Sequence, residues 1–353
     1  MKNPKKINIC IIRNDKIGDM ILTLPVIKEI KNLLPNSNIN VICSNLNSFL
    51  CKEANFIDEF HNYDKKYDLI TKLKFFSNLR KSYYDLVINL TQDLESFIIL
   101  CLSKSCKKST LIYLSRYRNP KNSKILQRVI SKILNIENLQ IDRKKFFNNK
   151  LNFHQTEMMY KLIKRDIDIV KPKTFHLIPE KNKNKKWFQK RILIHLSSKW
   201  IDNTYSEDLF CDLLNILKNK YGKLYLSTDE TSKKSFKQIY NLYKKFDDNN
   251  LHLVSQSDDN IIILDKLNFE NWRNAIINSN LVITYECGCV HVTSMSAVPL
   301  LVVYDYKNEP FMINQEYAPY TEKYEKVITK QEFINQEILS QLKKFKINTF
   351  DKI

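Results

Sequence analysis

Short apolar runs alternate along the chain with stretches whose apolar residues recur every three or four positions. Residues 7–12 are almost wholly apolar, and residues 20–34 set Ile21, Leu24, Ile27, Ile30, Leu33 and Leu34 at helical spacing. The alternation continues with strands predicted at 38–43, 85–90 and 111–113 and helices at 46–54, 70–81, 94–102 and 154–167. Residues 171–190 are rich in Pro and Lys and read as an extended linker. The pattern then restarts, with strands at 191–196, 223–227, 261–264, 281–285 and 300–304. Helices fall between them, at 206–220, 231–245, 268–277 and 290–297, and a last one at 330–344. Strands separated by helices imply right-handed crossovers and a parallel sheet covered on both faces. The predicted organisation is α/β: a Rossmann-like domain over 1–172, a linker at 173–190 and a second Rossmann-like domain over 191–329. A closing helical segment, 330–353, is left open to pack back on the first domain. Pro25 interrupts the first helical pattern and predicts a kink or a late helix start.

Composition narrows the function. Only 3 of 353 residues are glycine, so each surviving glycine is informative. The net charge of +19 is spread along the chain, which reads as a solvated lysine-rich surface or as attraction toward phosphorylated substrates and an anionic membrane, rather than as a dedicated nucleic-acid arm. No zinc-finger, homeodomain or RNP pattern occurs. The 8 cysteines are scattered through apolar segments, and Cys287–Cys289 has no second pair at zinc-site spacing, so a reducing cytoplasm fits and a metal centre does not. The first apolar run is too short for a signal peptide. The longest apolar region, 281–304, is broken by Glu286, Gly288, His291 and Pro299, so it does not read as a membrane span.

Two strand–loop–helix junctions carry candidate chemistry. The first is Arg13-Asn14-Asp15-Lys16-Ile17-Gly18-Asp19. Gly18 permits a tight turn or close approach of a ligand. Asp19 has two readings, a helix N-cap or a carboxylate that takes a proton from an attacking hydroxyl. The second is Thr284-Tyr285-Glu286-Cys287-Gly288-Cys289-Val290-His291, where a buried strand meets a glycine at a helix start, an arrangement suited to a phosphate or pyrophosphate. His291, one helical turn in, shares that end. Neither junction fits GxGxxG or a Walker A loop, which argues against dinucleotide and P-loop chemistry.

Taken together, the junctions resemble the ADP-heptose:lipopolysaccharide heptosyltransferases, family 9 glycosyltransferases with a GT-B fold. The match runs through Arg13 to Asp19, Leu22-Thr23-Leu24-Pro25 and Leu34-Pro35, then Ala275, Asn280 to Thr284, Gly288, His291, Pro299 and Val303-Tyr304. The resemblance implies two Rossmann-like domains facing across a cleft. It makes Asp19 the general base, counts Gly18 beside it among the donor-binding residues, and gives the donor diphosphate to the family's Asp-Thr-Gly-x-x-His motif, here Glu286, Cys287, Gly288 and His291. The sequence departs from the motif at Glu286 and Cys287. The family's donor-binding Lys has Asn203 in its place, so Lys199 is the substitute; Glu230 is a loose match to a ribose-binding Glu. Tyr205 and Ser206 stand where the family has Trp-Pro, and Ser206 is a plausible helix cap.

The implied reaction is inverting transfer of a sugar, heptose first, from a nucleoside diphosphate such as ADP to lipopolysaccharide core or a related surface glycan. It needs no cofactor or metal, because Lys199, His291 and helix amides offset the leaving diphosphate. The acceptor would be lipid-linked at an anionic membrane surface, with the protein peripheral at the cytoplasmic face of the inner membrane and no nucleic-acid partner. Asp166 and Asp168 have metal-binding spacing but read as a solvated turn. The alternatives are a family member that binds glycan without turnover, a transferase for another sugar nucleotide, and a nucleic-acid-binding protein suggested by charge alone.

Overall fold

The computed structural model describes residues 6–114, 123–151, 153–170, 191–203, 205–296, 298–307 and 309–345. The predicted linker 173–190 lies outside the described residues. The chain divides into two compact units, Met1–Lys173 with Gln315–Ala318, and Thr174–Asn314 with Pro319–Ile353.

The first unit runs β1 (Asn8–Arg13), α1 (Ile17–Leu33), β2 (Asn38–Cys43), α2 (Ser48–Glu53), β3 (Glu59–Asn62), α3 (Leu69–Leu79), β4 (Tyr83–Asn89), α4 (Leu94–Leu102) and β5 (Lys104–Tyr113). It continues through α5 (Ser123–Ile133), β6 (Glu137–Ile141), α6 (Arg143–Asn148) and α7 (Gln155–Ile163). Its six parallel strands lie in the order β3-β2-β1-β4-β5-β6. Ile9, Cys10, Ile11 and Ile12 are all fully buried, as a central strand with both faces covered requires. Pro25 neither delays nor ends α1. Helix α7 packs on α1, with Tyr160 Oη donating to the Pro25 carbonyl at 3.2 Å and Thr156 Oγ1 to that of Leu22 at 3.1 Å. These two bonds tie the proline-bearing turns of α1 to α7, so Pro25 is held inside a packed helix.

The second unit contains β7 (Ile192–Leu196), α8 (Lys199–Asn203), α9 (Glu207–Tyr221), β8 (Leu224–Thr228), α10 (Ser232–Ser235), α11 (Lys237–Leu242), β9 (Lys244–Phe246) and β10 (Ile261–Leu264). It then adds α12 (Phe269–Ile277), β11 (Leu281–Tyr285), α13 (Gly288–Ser294), β12 (Leu300–Val303), α14 (Pro310–Tyr317, whose residues from Gln315 on count with the first unit), β13 (Tyr324–Val327) and α15 (Ile334–Leu342). Its seven parallel strands follow the order β13-β12-β11-β7-β8-β10-β9. Ser206 caps α9, accepting from the Leu209 amide at 3.2 Å. Trp200, Tyr205, Phe210 and Phe236 form an edge-to-face aromatic cluster in the core.

Ile334, Ile338 and Leu342 of the closing helix, α15, belong to the core of the second unit. Two expectations need correction. The helix expected at 231–245 is two short helices followed by β9, because the Phe236 side chain turns into the core between them. Asp166 is no solvated turn residue; its carboxylate is 3% exposed, accepts from Ser109 Oγ at 2.8 Å and pairs with Lys107.

Candidate functional site

In each unit the strand order reverses beside the unit's first strand, between β1 and β4 and between β7 and β11. Open α/β sheets bind ligands in the crevice outside the carboxyl ends of such strands.

In the first unit that edge is built on Arg13, whose side chain is fully buried. Its guanidinium donates to the carbonyls of Leu90, after β4, and Asp19, and at 3.0 Å to Asp19 Oδ1; Nε lies 3.4 Å from Asp15 Oδ1. The loop between β1 and α1 is clamped besides: Ser44 Oγ donates to the Asp15 carbonyl, Asn47 Nδ2 to the Arg13 carbonyl and Ser96 Oγ to Asn14 Oδ1. Asp19 is not a cap. The N-cap of α1 is Lys16, without a side-chain cap bond, and Asp19 sits in the first turn with its carboxylate oriented by the buried guanidinium. Gly18 does not make a left-handed turn either: it lies inside α1, and the described glycine with positive φ is Gly222. Desolvation pushes the Asp15 carboxyl up to about 7; Arg13 opposes the rise and Asp19 adds to it. Two partly exposed carboxylates therefore share one buried cation, an arrangement able to take up a proton.

In the second unit Lys199, the first residue of α8 rather than a loop residue, donates from Nζ to Glu286 Oε1 at 2.6 Å and to the Glu286 carbonyl at 2.7 Å. The lysine follows β7 and the glutamate follows β11, so the reversal of strand order is what joins them. Cys287 is the N-cap of α13 and makes no side-chain cap bond; its thiol lies 3.5 Å from Thr284 Oγ1 and burial pushes its pKa up. An inert thiol stands where the family motif has a hydroxyl. A Cβ added at Gly288 would meet nothing within 4 Å, so open space faces this glycine. His291 is 8% exposed in the first turn of α13. Lys199, Glu286, Cys287, Gly288 and His291 thus gather at one sheet edge.

Glu230 does not join them by any bond. It extends from the same edge, after β8, with its side chain 84% exposed and 3.2 Å from Lys266 Nζ. The ordered carboxylate there is its neighbour Asp229, which accepts from the amides and hydroxyls of Thr231 and Ser232 at 2.7–2.9 Å and is held below the usual carboxylate range despite its burial. Sequence reasoning missed Asp229 and also His195, at the end of β7. Burial drives the His195 imidazole down to about 4, and Nδ1 lies 3.0 Å from Ser227 Oγ. It also gave no partner to Arg13. The available signal was a charged residue closing an apolar strand, since a buried arginine is almost always paired. Among the described residues no three His, Cys, Asp or Glu side chains come together to hold a metal ion.

Two Rossmann-like units, each with polar loops gathered where its strand order reverses, match the two-domain GT-B fold. The chain belongs to glycosyltransferase family 9 (heptosyltransferase), whose model matches residues 72–346, well over half its length. The protein is accordingly a glycosyltransferase. Its fold is similar to that of Escherichia coli heptosyltransferase WaaC solved with ADP, at 12% identity and a TM-score of 0.66, covering 95% of this chain and 100% of that one. Escherichia coli ADP-heptose lipopolysaccharide heptosyltransferase II gives 12% identity and 0.67, over 96% and 98%. A family 9 glycosyltransferase from Veillonella parvula gives 14% and 0.68, over 96% and 98%. No curated protein sequence matches the chain. Among the described residues no helix is long and apolar enough to cross a membrane.

Proposed function

We propose that the chain transfers heptose, with inversion, from ADP-heptose to a hydroxyl of lipopolysaccharide core or a related lipid-linked surface glycan, at the inner face of an anionic membrane. The observation that carries the donor assignment is the meeting of Lys199 with the Glu286–Gly288 turn where the second sheet reverses. WaaC, of the same fold, has been solved with ADP-2-deoxy-2-fluoro heptose, which supports a nucleoside-diphosphate sugar here. In the proposed reaction the acceptor O–H gives its proton to the Asp19 carboxylate. The freed oxygen forms a bond to the anomeric carbon as the bond from that carbon to the diphosphate breaks on the opposite face. The Lys199 ammonium, with His291 at the start of α13, offsets the charge on the departing diphosphate without a metal. Glu286, Cys287 and Gly288 complete the diphosphate-binding turn, and Glu230 is assigned to the ribose.

The test pairs donor binding with turnover. ADP-heptose, ADP and other sugar nucleotides are titrated by calorimetry, and Asp19→Asn is assayed beside the native chain. A general base contributes about 10²–10⁴-fold, so Asp19→Asn should bind donor normally and lose at least about a hundredfold in turnover. Unchanged turnover would remove Asp19 from the role, while absence of binding to any sugar nucleotide would leave a chain that recognises glycan alone.

A further inference from the structure

We propose that the outer faces of α3, α4 and α5 form one surface that seats the first unit on a bilayer containing anionic lipid. It deepens the peripheral placement proposed above and rests on that reading for its biological sense.

The evidence begins with α5, whose faces are reversed. Its fully buried positions are polar, and of its aliphatic residues Ile130 packs partly against the core. Lys124, Gln127 and Ser131, one turn apart, are buried, with Lys124 Nζ donating to the Gln92 carbonyl at 2.6 Å and Gln127 Nε2 lying 3.5 Å from the Asp93 carbonyl. Its outward positions are aliphatic: Ile125, Leu126, Val129 and Ile133 are exposed, Ile133 by 74%. Water-facing helices put their apolar stripe toward the core. The polar anchors from the loop after β4 hold α5 the other way round.

The neighbouring helices continue the surface. Helix α4 packs on α5 and α3 packs on α4. Leu94, Leu102 and Ile98 form an exposed stripe at every fourth position of α4, while Leu69, Ile70 and Leu73 project from α3 with exposures up to 72%. The inward residues of the same helices, Phe97 and Leu100 of α4 and Leu79 of α3, fill the core, so the outer aliphatics are left over from it. An apolar area spread over three adjacent helices exceeds the scatter of single hydrophobics normal on a protein surface.

Charge selects the occupant. Neither α3 nor α5 contains an acidic residue, and with Lys124 turned inward their remaining basic residues are Lys72, Lys74, Arg128 and Lys132. The exposed acidic side chain of α4, Glu95, is paired with Lys72 at 2.6 Å. Leu, Ile and Val interleaved with Lys and Arg suit acyl chains beneath anionic headgroups. A protein interface would instead be expected to favour Tyr, Trp and Phe and to be poor in Lys.

The test is co-sedimentation of the full chain with vesicles of phosphatidylcholine alone or with phosphatidylglycerol. The native chain should bind the anionic vesicles and release as salt rises. Ile125→Gln/Ile133→Gln, changes at exposed positions, should weaken binding at least about tenfold. Arg128→Ala/Lys132→Ala should weaken it about fivefold per charge, the equivalent of about 1 kcal/mol for each basic residue near the surface. Equal binding by all variants, or no binding by the native chain, overturns the proposal. So does a concentration-dependent dimer that the Ile variants dissociate while vesicles go unbound. Donor titration of the same variants separates the two readings: normal ADP-heptose binding with vesicle binding lost sustains both, and normal vesicle binding with no donor binding sinks only the donor assignment.

Discussion

The four residues Gln315–Ala318 return to the first unit through a fully buried carboxylate, Glu316. Arg143 Nε reaches both its oxygens, at 2.8 and 2.7 Å, and Gln155 Nε2 donates to Oε1. The Arg143 guanidinium stacks 4.3 Å from the centre of the Tyr113 ring and contacts Gln92 after β4. The Arg143 side chain is itself only 5% exposed, so Glu316→Ala would strand a buried cation. Removing one partner of such a pair costs about 3–5 kcal/mol. For a domain of this size each kcal/mol moves the melting temperature by about 2–4 °C, so a fall of roughly 6–20 °C is expected. Arg143→Met should cost a similar amount. The double variant Arg143→Met/Glu316→Leu should be more stable than either single one, because no unpaired charge remains. The assay is thermal and urea unfolding of the full chain by circular dichroism, with tryptophan fluorescence beside it. Trp200 and Trp272 belong to the second unit, so their fluorescence reports on that unit. A shift below about 2 °C for Glu316→Ala, or a double variant whose loss equals the sum of the two, would refute this account of the pair.

At the proposed donor edge, Lys199→Ala should weaken ADP and ADP-heptose binding about 10–150-fold, the size of one charge-assisted hydrogen bond of about 1.5–3 kcal/mol. Its pair with Glu286 is half in solvent, so stability should change by less than about 1 kcal/mol; calorimetry that finds donor affinity unmoved removes Lys199 from the site. Asp15 supplies a pH test. Its folded carboxyl stands at about 7 against about 3.9 unfolded, so the folded state holds the extra proton between those values and the group's contribution to stability is lost as pH rises through 7. Asp15→Asn should therefore gain about 2–4 kcal/mol over the native chain on going from pH 4 to pH 8 in urea unfolding, and a difference independent of pH would contradict it.

The alternation of apolar runs with helical patterns was enough to read two parallel α/β domains. The loops after the first strand and before α13 were legible from their rare glycines. These are local signals, since burial on two faces imposes a run and burial on one imposes a period. Strands without such a signal escaped: β3 is exposed at all four positions, and β6 and β9 are short and polar. Periodicity also tells which residues of a helix share a face, yet not which face turns inward; in α5 the answer came from Gln92 and Asp93, carbonyls more than thirty residues away. Lys199 meets Glu286 87 positions along the chain, and Arg143 meets Glu316 across 173. Asp19 was legible as a carboxylate at a helix start, but its orientation depends on a guanidinium held by the end of β4. The chain encodes each element's own burial locally, and only folding brings together the distant charges that must be paired once water is excluded.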